Sequence, residues 1–378
     1  SETADSEKLF SADNYGDTDF ILTISTDCTA RLWNTSTNFC ERSLQGHADR
    51  INSGELSPDR SAIVTSSADK TARIWGTANS KCLRVLGGHD GEVHSAAFSS
   101  DGDRVVTAAS DMTARIWNAR TGQLLHILKG HAGEVRTAIF SPDGRTLMTA
   151  AADHTARDWC AASGALRHIL KGHKGDVAAV AYSRDSTRAA TASVDRTAII
   201  WDRENGKCLR NLSGGMSGHS GPVESLEFCP RGELLVTGSA DNSAKIWKVS
   251  SGSCVRTLSG HRARITGVCF SPDASKVLTA SEDTTARVWC ATKGTCLLTL
   301  EGHQDKVMSA VYSLSGESIV TASADKTAKV WCAEAGTCTQ TFEGHEGQVT
   351  GASFTRTRHV EQVKAESEAR HESEAPTE

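Results

Sequence analysis

Eight tryptophans stand at Trp33, Trp75, Trp117, Trp159, Trp201, Trp247, Trp289 and Trp331, spaced by 42, 42, 42, 42, 46, 42 and 42 residues. A period of this length, held along nearly the whole chain, means a repeat architecture. Three more series keep step with it. His47, His89, His131, His173, His219, His261, His303 and His345 each follow a Gly. Asp27, Asp69, Asp111, Asp153, Asp195, Asp241, Asp283 and Asp325 lie six residues before each Trp. Four residues earlier still is always Thr: Thr23, Thr65, Thr107, Thr149, Thr191, Thr237, Thr279 and Thr321.

Each period alternates short β-rich runs with turn signals, which gives four strands. In one copy the first strand is Val135 to Phe140, and Ser-Pro-Asp-Gly at 141–144 places Pro and Gly where a tight turn wants them. The second strand carries Thr149, the next turn carries Asp153, and the third strand ends at Trp159; Gly164 opens the fourth. A lone four-stranded sheet has exposed edges and cannot bury both faces, so such units stack around an axis.

The Gly-His start, the turn Asp and the Trp closing the third strand resemble WD40 repeats over residues 20–354. The resemblance implies an all-β fold, an eight-bladed β-propeller with four antiparallel strands per blade. The residue after Trp departs from the family's Asp everywhere but Asp202: it is Asn34, Gly76, Asn118, Cys160, Lys248, Cys290 or Cys332 in the other copies. Trp33 lacks a Gly-His upstream and Gly344-His345 lacks a Trp downstream. The two fragments complete one another, so a closing blade is expected from about 20–45 together with Val349 to Phe354. Leu9 to Asp13 is a weaker rival for its first strand.

A hydroxyl, an imidazole and a carboxylate recurring together invite a nucleophilic reading. Eight copies favour a hydrogen-bond network instead, in which Asp accepts from His, His orients toward Thr, and Thr accepts from the Trp indole. In the family this tetrad ties together the turn, the inner strands and the Gly-His loop. Its members include His47, Thr65, Asp69 and Trp75, then His131, Thr149, Asp153 and Trp159. In the closing blade it is split, with His345 from one end meeting Thr23, Asp27 and Trp33 from the other.

If the repeats are scaffold, function resides where they differ. Flanking the first hydrophobic residue of each first strand, Glu92, Glu134, Asp176 and Glu224 make an acidic arc. Arg50, Arg262, Arg264 and Lys306 make a basic one, and His94 and Arg136 occupy the same rim. The rim is expected to be a polarised docking surface on the face usually called the top, where electrostatics sets association rate more than affinity. The single 46-residue spacing inserts four residues near Gly214-Gly215-Met216-Ser217, lengthening one top loop. Asp158 fills a slot that is Leu, Ile or Val in the other copies, which suggests a locally weak blade before it suggests a site.

Charge narrows the classes further. Lys and Arg number 41 against 46 Asp and Glu, a net charge of -5 that disfavours a polyanion-binding molecule. Subtracting residues 1–19 (one basic, six acidic) and 355–378 (four basic, six acidic) leaves 36 basic and 34 acidic residues in the ring. The acidity lies in the ends, read as a flexible N-terminal segment and a polar tail able to form a short helix. No apolar run is long enough for a bilayer, and SETADSEKLF lacks a signal layout. Twelve Cys without a CxxC pair read as reduced, six of them filling one small apolar slot seven residues after a Trp.

The expectation is therefore a non-catalytic scaffold or adaptor for other proteins, in the cytoplasm, with a ciliary or cytoskeletal assembly as a special case. No cofactor, metal, membrane, nucleic acid or small-molecule substrate is expected. An enzyme at the channel mouth, using Glu92, Glu134, Asp176 and His94, and a nucleic-acid binder using the basic arc are the readings of another class. Eight blades weigh against a seven-bladed G-protein β subunit.

Overall fold

The computed structural model describes residues 20–213 and 215–355. The Leu9 to Asp13 segment, both terminal segments, Gly214 and the side chain of Met216 lie outside the described residues. Thirty-two strands form eight four-stranded antiparallel sheets. Blade two holds Ile51–Leu56, Ala62–Ser67, Ala72–Gly76 and Cys82–Leu86, running from the axis outward. Blades three to eight repeat this pattern and begin at Val93, Val135, Val177, Val223, Ile265 and Val307. Blade one takes its inner strand, Val349–Thr355, from the far end of the chain and adds Phe20–Ser25, Ala30–Asn34 and Cys40–Leu44. Phe20 pairs with Thr355 and Thr23 with Ala352.

Each blade packs on a neighbour with both faces, so its second strand is buried on both sides. That strand is nearly all buried, as in Thr146–Ala151, while the outermost strand is largely exposed. No blade has a core of its own. Val64, Ile74 and Leu86 of blade two pack with Val93, Phe98, Val105 and Trp117 of blade three, and the seven other seams are filled the same way. Since hydrophobic stabilisation follows area removed from water, each blade is stable only between neighbours.

The fourth strand begins at Leu166, two residues later than expected. Gly164 sits in the preceding turn at φ +68, where a Cβ would come within 2.8 Å of the His126 ring of the neighbouring blade. Both the left-handed backbone and the close approach select Gly there. The slot seven residues after Trp is also not a core position. Cys40, Cys82, Cys208, Cys296 and Cys338 are exposed on outer strands, where several thiols donate to a carbonyl two residues on. Their outermost place in the sheet, with no further strand to cover them, is the reason.

Candidate functional site

Every blade builds the same relay. Trp Nε1–H donates to the Thr hydroxyl at 2.8 Å in blades one and two and at 3.0 Å in blade four. The same hydroxyl lies 2.7–2.8 Å from His Nε2, and His Nδ1 lies 2.7–2.8 Å from the Asp carboxylate. The ionised Asp accepts a hydrogen bond from Nδ1–H, which leaves Nε2 to accept one from the Thr hydroxyl. Asp27, Asp69 and Asp153 also accept from the hydroxyl and backbone of the Thr two residues on.

These bonds set the titration of the site. Burial alone would raise Asp27, Asp69 and Asp153, but hydrogen bonds from Thr and His outweigh it and hold the carboxyls at about 2. Burial dominates for the imidazoles, pushing His47, His131 and His345 below their usual range against the pull of the Asp. Thr23, Thr65 and Thr149 are fully buried, with the hydroxyl already held by Trp and His. None of these three hydroxyls can reach a substrate, so the tetrads act as girders. In blade one the girder spans the two ends of the chain, His345 to Thr23 and Asp27.

The Gly-His loops and the Asp turns share one face, the top, where the rim charges sit. They do not stand as two free arcs. Arg50 pairs with Glu92 at 2.8 Å, His94 approaches Glu134 at 3.8 Å, and Arg136 pairs with Asp176 at 2.9 Å. Further round, Arg264 reaches both Glu224, at 3.4 Å, and Glu282, at 2.9 Å, while Lys306 meets Glu282 at 3.3 Å. Each charge binds one in its own or the adjoining blade, because 42-residue periodicity sets equivalent positions side by side. The ladder lapses between Asp176 and Glu224, where Ala178 and Pro222 stand, and again across blade one, which carries Gln348 and Thr350. Arg262 is exposed beside this rim. Met216 falls in a 3-10 turn, Gly215–Ser217, of the lengthened loop.

Asp158 is 2% exposed and faces blade five. Arg167, in a slot held by Leu or Val in five other blades, pairs with it at 2.8 Å. Arg203 takes a place filled by Ala in four blades, reaching Asp143 at 2.7 Å and the Thr146 hydroxyl at 3.0 Å. Tyr182 stands in a slot that is Phe in most blades, its hydroxyl 3.4 Å from Thr146. This seam thus carries Asp158, Arg167, Arg203 and the Tyr182 hydroxyl beside a core cluster of six buried apolar residues, against thirteen between blades three and four and six between blades eight and one. Burial raises the Asp158 carboxyl despite the opposing pull of Arg167.

Two features escaped the sequence reading. Inner strands expose backbone groups to the axis, and side chains of the preceding blade cap them. Ser53 accepts from Ala96 N–H, Ser95 from Ala138 N–H, and Glu227 from Phe270 N–H. Glu55 and Glu227, on opposite blades, are pushed up to about 7 by burial. At the circumference Arg84, His126, His168, Arg210 and Arg256 each donate to a turn carbonyl of the next blade. The signal was a long polar residue at the middle of seven outer strands, Leu298 being the exception, legible only once the neighbour across the seam is known. No group of three or more His, Cys, Asp or Glu among the described residues is placed to hold a metal ion.

Tetrads recurring in eight radial sheets define a WD-repeat propeller, and the WD domain, G-beta repeat model matches at 38–76, 80–118, 122–157, 164–202, 206–248, 252–290 and 294–332. The chain belongs to the WD40 family. It is similar to a solved structure of the computationally designed Ika8 protein, at 29% identity and a TM-score of 0.73 over 81% of this chain and 91% of that one. No curated protein matches the chain at a significant level. Propellers of this family generally mediate contacts between proteins.

Proposed function

We propose that the protein is a non-catalytic scaffold that holds partner proteins on its top face. The observation that carries this reading is that the recurring His, Thr, Asp and Trp are turned inward as girders, so the blades differ chemically at their loops and rims. Surfaces that vary on a rigid frame are where recognition is placed. The residues an enzyme would use on this face lie within ion-pair distance of neighbouring charges, Glu92 with Arg50, His94 with Glu134 and Asp176 with Arg136, which suits a charged docking rim. The acidic and basic arcs, being paired, act chiefly as steering charges and not as contact sites by themselves.

Cross-linking of the full chain within complexes from native extract tests the proposal. Cross-links are expected to gather on the Gly-His loops and Asp turns. Cross-links confined to the opposite face or the circumference would overturn it. Replacing Glu134 and Asp176 by Lys should slow partner association at low salt, and the difference should shrink as salt rises.

A further inference from the structure

Blade five departs from its sisters on the top face. The residue after Gly-His is Lys174, where the others have Ala48, Asp90, Ala132, Ser220, Arg262, Gln304 and Glu346. The residue after the turn Asp is Arg196, and only this blade carries Lys or Arg at both places. Blades two and eight, with Lys70 and Lys326, each place an Asp in the facing loop, Asp49 and Asp305; blade five has Gly175. Its carboxylates on this face are already bound, Asp176 to Arg136 and His154, and Asp195 to His173.

Between the two cations lies an apolar side chain. Val194 is 40% exposed, at a slot that is Ala, Ser, Thr or Glu elsewhere. It covers Gly175 so closely that a Cβ there would meet a Val194 methyl at 2.8 Å. Lys174 N–H donates to the Asp195 carboxylate at 2.8 Å, so both cationic residues spring from loops fixed to one carboxylate. The seam beyond is one of the two where the rim charges are interrupted. The rim ladder lapses there, and the lengthened loop is inserted there. The inner strand of blade five, Val177–Tyr182, offers no polar side chain before its final Tyr to cap the backbone of blade six.

We propose that the top face of blade five, with its seam to blade six, docks an extended acidic peptide of a partner, carboxylates meeting Lys174 and Arg196 and an apolar residue covering Val194. This rests on the scaffold reading and names the partner's chemistry. Two leftover cations around an apolar centre suit a peptide better than a nucleic acid, which would need a longer basic track and exposed rings for stacking. All eight Trp are buried. A strand-like peptide also brings backbone groups to blade six, beside which the inner strand of blade five offers only apolar side chains before Tyr182.

The test measures fluorescence anisotropy of a labelled Glu-Glu-Leu-Glu-Glu peptide against the full chain. Wild type should bind with strong salt dependence. K174E/R196E should weaken binding at least about tenfold, V194S about threefold, and K70E/K326E should leave it unchanged. Each variant alters exposed positions, and its melting curve is recorded alongside. No binding by wild type, or equal loss in K70E/K326E, overturns the proposal. Tight binding of a labelled oligo-dT abolished by K174E/R196E, with the peptide unbound, assigns the face to nucleic acid instead. Native cross-links on the top face but away from blade five refute this docking point and leave the scaffold standing; cross-links off the top face refute both.

Discussion

The tetrads make the ring sensitive to acid, and the size of the effect follows from their geometry. Seven imidazoles, those of His47, His89, His131, His173, His261, His303 and His345, are held by burial below the ordinary value of 6.5. An unfolded chain then binds more protons than the folded one, so stability is lost as pH falls through 6.5. From about pH 7.5 to about pH 5.5, each histidine kept neutral in the fold costs about 1.4 kcal/mol, and seven cost at most about 10 kcal/mol. Glu55 and Glu227, raised to about 7, oppose this by binding protons in the folded state first. Discounted for the water that reaches Glu55, they offset about 2 to 3 kcal/mol. The net loss is then at most about 7 kcal/mol, against a whole stability of about 5 to 15 kcal/mol for an ordinary domain. Urea unfolding followed by tryptophan fluorescence should show midpoints falling steadily over this interval. Unfolding in weak buffer near pH 5.5 should take up protons, at most about four to five. A flat midpoint, or uptake below about one proton, would refute the neutral-imidazole relay.

Removing one girder should matter most where it joins the chain ends. His345→Ala and His303→Ala each orphan a buried Thr and Asp, costing about 1 to 3 kcal/mol, but only the former should also raise protease cleavage near residues 20–30; equal cleavage in both would count against a special role for the split tetrad. Asp158→Ile combined with Arg167→Leu restores the residue types of the other blades and should be neutral or stabilising by about 1 to 3 kcal/mol. Because the Asp158 carboxyl is raised, this advantage over wild type should grow as pH climbs above 3.8, which melting at several pH values reads directly. Arg167→Ala strands the buried carboxylate and should cost about 1 to 2 kcal/mol, less than a fully enclosed pair would, since the guanidinium is one-third exposed. Arg264→Ala, in an open network, should change the melting free energy by less than about 1 kcal/mol.

What was legible in the sequence was whatever repeats. The tetrads, the strand count, the turns and the pairing of the two ends all follow from period and residue type, since equivalent positions in stacked units meet equivalent surroundings. What stayed hidden depends on the neighbour across a seam. Glu92 and Arg50 read as members of opposing arcs when each blade is taken alone, yet they are partners once blades two and three adjoin. Asp158 reads as a defect until Arg167, Arg203 and Tyr182 are seen to have changed with it. The exposed outer cysteines failed for a related reason. A recurring small residue signals a recurring environment, but recurrence alone does not say whether that environment is core or edge.

Phe20 and Thr355 lie side by side where the chain enters and leaves the ring, on the side away from the Gly-His loops. The first and last described residues thus both lie opposite the Gly-His loops. The same adjacency makes the starting blade a matter of convention. A short linker across those two residues, with a new break opened in any other underside turn, should return the same annulus from a rearranged gene.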